Sequence, residues 1–162
     1  EFVPLPFVHM EAPIYLKGRA RRGPTWREAM LMHAVARIAL HPVLPNIQAS
    51  WVKLGPEGAV EALRRGANDL GGTLMNESIS RAAGTQHGQE CGPARLDALI
   101  ARTGRRAEQR TTLYGVAPEA QRARSYDAAP LRPIVLTPLA RTDHGTTCAS
   151  SAPLIAIQGA TP

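Results

Sequence analysis

The stretch PNIQASWVKLGPEGAVEALRRGANDLGG, residues 45–72, decides the fold. Residues 45–55 are rich in strand formers and bounded by Pro45 and Gly55-Pro56, so they read as a strand. Pro56 then suits the first position of a helix, where its missing N–H is not needed. Glu57 lies where the helix dipole favours an anion. Val60 and Leu63 give the helix an apolar stripe, and Gly66 fits the left-handed slot that ends helices. Ala67 to Gly71 reads as a second strand. A strand, a helix and a strand with short links make a βαβ unit, and such units build parallel sheets.

The flanking sequence continues the alternation. FVPLPFVH (residues 2–9) is a short apolar strand made irregular by its prolines. KGRARRGP (17–24) is a basic loop. TWRE (25–28) is a capping box, in which Thr25 accepts from the backbone of Glu28 and Glu28 reaches back. The helix it opens runs to about Leu40 and stops before His41-Pro42, because a residue preceding proline avoids the α region. That helix is apolar on most of its circumference, which predicts burial on a sheet. A short helix over 76–83, another from Pro93 to about Arg102 and an extended QRTTLY (109–114) follow. The α/β part is expected over residues 1–116. Residues 117–162, with frequent prolines and small polar residues, are expected to be a mostly irregular tail.

Bulk properties bound the function. The chain has 162 residues, enough for one domain with a modest core, although aromatics at 4% are few for a packed interior. A net charge of +6 permits anionic partners without specifying any. Cys91 and Cys148 make no disulfide framework, which points to a reducing, cytoplasmic compartment. No apolar run reaches membrane-spanning length. The chain opens at Glu1, without Met and directly in an apolar segment, and reads as cut from something longer.

In parallel α/β folds functional groups gather where strands end. HMEAP (9–13) brings His9 and Glu11 to such a place. On the strand 45–55, period two sets Gln48 and Ser50 on one face and Ile47, Ala49 and Trp51 on the other. A polar face on a buried parallel strand is unusual, since such strands are normally apolar throughout. Asp69 shares a face with Gly71. Gly71 and Gly72 let a ligand approach closely, and Thr73 with the next helix N-terminus offers donors. Plainer readings stand beside these. His9 and Glu11 fit a solvated loop, Gln48 and Ser50 fit satisfied core groups, Gly71-Gly72 fits ordinary turn chemistry, and KGRARRG fits a solvated basic loop. His87 has no partner at metal-ligand spacing, and neither a Ser-His-Asp arrangement nor a phosphate-loop lysine stands out. A basic nucleic-acid-binding module and a phosphate-binding half-barrel centred on Gly71 to Thr73 remain alternatives. Against the former, the basic residues do not share a helix face and few aromatics are available to stack bases.

PLPFVHMEAPIYLKGRARRGPT, NIQASWVKLG, GANDLGGTLMNESISRAAGTQHG and QRTTLYG together resemble, in order, the C-terminal part of the radical S-adenosylmethionine FO synthase family, in its tyrosine-using half. The resemblance covers about residues 1–126. It implies the last three βα units of a (β/α)8 barrel. It also implies a 4Fe-4S cluster, S-adenosylmethionine cleaved to a 5'-deoxyadenosyl radical, and L-tyrosine and 5-amino-6-(D-ribitylamino)uracil as substrates. These are joined through a 4-hydroxybenzyl fragment to make a deazaflavin, alongside a deazaflavin-forming partner domain or subunit. Leu5, Pro6 and Phe7 would lie near the adenine of S-adenosylmethionine. His9, Glu11, Gln48, Ser50, Asn68, Asp69 and Thr73 would line the mouth where the substrates meet. The family's CxxxCxxC motif is absent from this sequence, and a cluster needs its thiolates. The expectation is therefore a C-terminal fragment, inactive alone, with the cluster ligands elsewhere and a tail that suggests a shifted frame after about Pro133.

Overall fold

The computed structural model describes residues 1–74 and 76–130. In chain order the elements are α1 (Pro13–Leu16), α2 (Trp26–Leu40), β1 (Gln48–Ala49), α3 (Trp51–Arg64), β2 (Asp69–Leu70), α4 (Ile79–Ala82), α5 (Pro93–Ala101) and α6 (Glu119–Asp127). β1 and β2 pair in parallel, with Gln48 opposite Asp69 and Ala49 opposite Leu70. Phe2 bridges Ile47 in the same sense, and the Gly71 N–H extends the ladder to the Ala49 carbonyl at 3.0 Å. Three neighbouring segments thus run parallel in chain order, with helices between them, as the βαβ pattern predicts.

The helix starts follow local chemistry. Thr25 and Glu28 form the reciprocal capping box: the Glu28 N–H donates to Thr25 Oγ1 at 3.3 Å, and the Thr25 N–H donates to Glu28 Oε2 at 2.7 Å. α2 buries Ala29, Met30, His33 and Ala36. Its opposite face is also apolar but exposed at Leu31, Val35 and Ile38, so only one side meets the sheet. At the end of α2, Arg37 donates to the Gly66 carbonyl (2.7 Å), the Pro45 carbonyl (2.6 Å) and Asn68 Oδ1 (2.7 Å). One guanidinium therefore fastens the helix to the entries of both strands. Gly66 has φ +121°, and a Cβ there would lie 2.7 Å from Arg37 Cβ, so glycine is required for this close approach.

Two expectations are corrected. The strand expected over 45–55 ends by Ala49, and Trp51 opens α3. The run Trp51–Leu54 forms a helical turn, Gly55 breaks it at φ +74°, and Pro56 restarts the helix. The turn buries Trp51 and Val52 against Ala59, Cys91 and Leu96, which an extended run would not. The helix expected over 76–83 is shorter, Ile79–Ala82, so no helix N-terminus stands beside Thr73. Within the segment expected to be irregular, Glu119–Asp127 forms α6; it has no buried residues and is held by the Gln109–Ser125 bond (3.0 Å) and by Tyr126 bonded to Asp97. The rest of the tail expectation, from residue 131, lies outside the described residues, as does Cys148. In the extended segment near QRTTLY, Arg110 bridges Val116 antiparallel across a tight turn.

The core is built largely from alanines. Ala29, Ala36, Ala49, Ala62 and Ala67 are buried with Ile47, Met30 and Leu63 between α2, α3 and the strands. Small side chains let the helices lie close on the strands without many large apolar residues. Among the described residues, no helix is long and apolar enough to cross a membrane.

Candidate functional site

Ile47 and Ala49 point into the helix-facing core, so the alternate residues Gln48 and Asp69 point to the opposite face. There the Gln48 Nε2–H donates to Asp69 Oδ2 at 2.7 Å. Arg110 grips the same carboxylate from the other side, Nε to Oδ1 at 2.9 Å and Nη2 to Oδ2 at 2.5 Å. Two parallel N–H···O bonds to one carboxylate fix both groups in position as well as pairing their charges. The Arg110 guanidinium lies 4.2 Å from the Tyr114 ring centroid, and its Nη1 donates to the Thr111 carbonyl at 3.2 Å. Bonding to Asp69 holds Arg110 firmly protonated. Tyr114 adopts φ +63°, a left-handed conformation that disfavours a bulky residue. The turn Thr111–Gly115 enforces it, and it lays the ring on Arg110. The Tyr114 hydroxyl bonds the Glu1 carboxylate. Burial first, and that carboxylate second, push the phenol pKa up to about 12.

The expected site residues do not all converge. Gln48 and Asp69 meet. Ser50 is buried next to them in sequence as the residue that precedes α3, and its carbonyl accepts from Lys53 and Leu54. Gly71 follows Asp69 on the same face, and a Cβ there would lie 3.5 Å from Gln48 Oε1. Asp69 and Thr73 also line a cleft of ≈ 580 Å³ bounded by α5, residues 105–112 and α6. Asn68 borders the same cleft, but its amide is turned to the strand entries. Its Oδ1 accepts from Ile47 N (2.8 Å) and Arg37, and its Nδ2 donates to Asn46 (3.2 Å), which is structural work. Leu5, Pro6, Phe7 and Glu11 line a separate cleft of ≈ 490 Å³ with Lys53 and α4. His9 stands apart from both: its Nδ1 accepts from the Gly23 N–H at 3.3 Å and its ring meets Tyr15 edge-on at 4.7 Å.

Arg110, Tyr114 and Glu1 are the site residues that period-two reasoning missed. QRTTLY carried Arg110 and Tyr114 in plain view, but only the fold brings position 110 beside position 69, and Glu1 against Arg110 and Tyr114. Among the described residues no group of three His, Cys, Asp or Glu side chains stands together as a metal site. Cys91 is buried, and desolvation raises its thiol pKa. These residues do not fit an iron–sulfur cluster. The cleft at Leu5–Phe7 is lined mainly by apolar side chains, with Glu11 and Lys53 beside them. Among the described residues, the backbone of Leu5 and Phe7 makes no backbone hydrogen bond, and Gly23 packs against the Phe7 carbonyl.

Parallel strands with an apolar helix-facing side and a charged, hydrogen-bonded opposite side define an α/β protein. The family model described as the CofH/MqnC C-terminal region matches residues 1–122. The chain belongs to this family. It is 56% identical over 128 residues to the FO synthase of Streptomyces coelicolor, covering 79% of this chain and 15% of that protein. It is 54% identical over 116 residues to the FO synthase of Mycobacterium tuberculosis, covering 72% of this chain and 14% of that one. It is also 54% identical over 114 residues to the 5-amino-6-(D-ribitylamino)uracil--L-tyrosine 4-hydroxyphenyl transferase of Methanopyrus kandleri, covering 70% of this chain and 31% of that protein. The chain thus spans less than a third of the length of each. No solved structure matches.

Proposed function

We propose that this chain is the C-terminal part of a radical S-adenosylmethionine FO synthase, contributing the last three βα units of an eight-stranded barrel. The protein joins a tyrosine-derived 4-hydroxybenzyl group to 5-amino-6-(D-ribitylamino)uracil. The observation that carries this reading is the 54% identity to the Methanopyrus transferase, whose name states both substrates. The parallel order of three strand segments with helices between them supports the barrel part. So does the concentration of charged side chains on the face away from the helices.

Within such a protein, this chain's residues bind and orient. The Leu5–Phe7 backbone holds the adenine of S-adenosylmethionine, which supplies the 5'-deoxyadenosyl radical when bound. The cluster's thiolates come from outside this chain. Glu11 and Lys53 flank the Leu5–Phe7 cleft with opposite charges, suited to the zwitterionic amino-acid ends of the ligands bound there. Gln48, Asp69 and Thr73 face the substrates, and Asn68 braces the strand that presents them. A deazaflavin-forming domain or subunit acts on the product.

The test is anaerobic assay of the full-length protein with tyrosine, the aminouracil, S-adenosylmethionine and a reductant, read by mass spectrometry. The expected product is the 4-hydroxybenzylated uracil, with 5'-deoxyadenosine formed alongside. A reconstituted protein that makes 5'-deoxyadenosine but leaves both substrates unchanged would refute the substrate assignment.

A further inference from the structure

We infer that Asp69 is a positioning residue for Gln48. It fixes the Gln48 amide so that Oε1 is presented, above Gly71, to an N–H donor of the bound substrate. This inference rests on the function proposed above.

The orientation follows from the chain of partners. A carboxylate gripped by a guanidinium accepts hydrogen bonds and does not donate them. The end of the Gln48 amide that faces Asp69 Oδ2 is therefore the NH2 end, at 2.7 Å. Glu1, 3.4 Å from the same nitrogen, is also an acceptor and reinforces that choice. Arg110 cannot swing away to relax it. Three of its nitrogens are used, by Asp69, by Glu1 and by the Thr111 carbonyl, and its plane rests on Tyr114. Oε1 must then point the other way. Among the described residues it accepts no hydrogen bond, and it lies 3.5 Å from where a Gly71 Cβ would stand. An amide oxygen without a partner beside a side-chain-free patch of strand is an acceptor left open on that face. The ligand chemistry is an N–H donor. The ring and amino N–H groups of the aminouracil and the ammonium of tyrosine both carry it.

The geometry makes a reversible prediction. In Asp69→Asn, one of the two positions that Arg110 bonds becomes an NH2, so the bidentate grip is lost and position 69 no longer holds the Gln48 amide in one orientation. Oε1 is then presented to the substrate only part of the time. In Asp69→Asn/Gln48→Glu, one carboxylate oxygen at position 48 accepts from the new amide and the other faces the substrate, so the outward acceptor returns. In the full-length protein, Asp69→Asn is expected to raise one substrate's KM by about 3- to 10-fold, the range for weakening one hydrogen bond. kcat changes far less. The double variant recovers most of that KM. Gly71→Ala, whose added methyl makes only ordinary contact with Gln48, raises the same KM by filling the patch. Titrating each substrate separately shows whether the donor belongs to the aminouracil or to tyrosine. An unchanged KM for both substrates in Asp69→Asn overturns the inference, and so does a double variant no better than the single one. If Asp69→Asn does not fold, Gly71→Ala decides: unaltered KM values overturn the inference. A wild-type protein inactive on both substrates overturns the proposed function instead, and the inference with it.

Discussion

Replacing Arg37 tests whether the strand entries are held by one side chain. Its three bonds, to the carbonyls of Gly66 and Pro45 and to Asn68 Oδ1, span 2.6–2.7 Å. Hydrogen bonds from a charged donor contribute about 1.5–3 kcal/mol each when buried, and less when solvent competes. The bond to Gly66 is part-buried, and the other two are exposed. Counting the first near the lower end of that range and the others at about 0.5 kcal/mol each gives about 2.5 kcal/mol for Arg37→Ala. Asn68 loses an anchor too, and keeps only its bonds to Ile47 and Asn46. Arg37→Lys keeps one point donor and is expected to lose about half as much, because an ammonium cannot reach three diverging acceptors. The assay is urea unfolding of the full-length protein, followed by tryptophan fluorescence. A loss below about 1 kcal/mol for Arg37→Ala, or Arg37→Lys equal to wild type, refutes the clasp.

Burial holds the His33 imidazole below its ordinary pKa of 6.5, its Nδ1 bonded to the Ala29 carbonyl and its Nε2 unpartnered. The unfolded chain therefore binds the proton first. The stability this group supports is complete above the unfolded value and falls away as pH drops from it towards the folded one. His33→Leu should flatten part of the acid limb of a stability–pH curve, leaving the part due to His87, which burial shifts the same way. Gly66→Ala should destabilise by roughly 1–3 kcal/mol or more in thermal unfolding, from a left-handed backbone and the contact with Arg37. The 162-residue chain alone, reconstituted anaerobically with iron and sulfide, should show no cluster absorption and form no 5'-deoxyadenosine from S-adenosylmethionine.

Elements defined by two or three neighbouring residues were legible in the sequence. Thr25 with Glu28, Pro56 after Gly55, and Gly66 each encode a boundary through local hydrogen bonding or backbone sterics, and each stands where the pattern placed it. The run Trp51–Leu54 was misread because a short apolar stretch satisfies strand and helix alike; burial against Leu96, far along the chain, settles it. α6 was invisible for the opposite reason. EAQRARSYD has no apolar stripe, and its position depends on side-chain bonds to distant residues. In the site, period two placed Gln48 and Asp69 on one face. It gave no means of knowing that Asn68 would be drawn to the strand entry by Arg37, or that Arg110 would arrive across from Asp69.

The alanine-built interior has an evolutionary corollary. Ala49, Ala59 and Ala62 are fully enclosed, so any enlargement there forces backbone apart from backbone. Gly71, one residue beyond the β2 strand, has only ordinary contacts around its missing side chain. Substitutions that drift into such a chain are filtered out on the helix side and admitted on the ligand side. Lineages that share this scaffold can then come to prefer different small molecules while their helix-facing residues stay nearly unchanged.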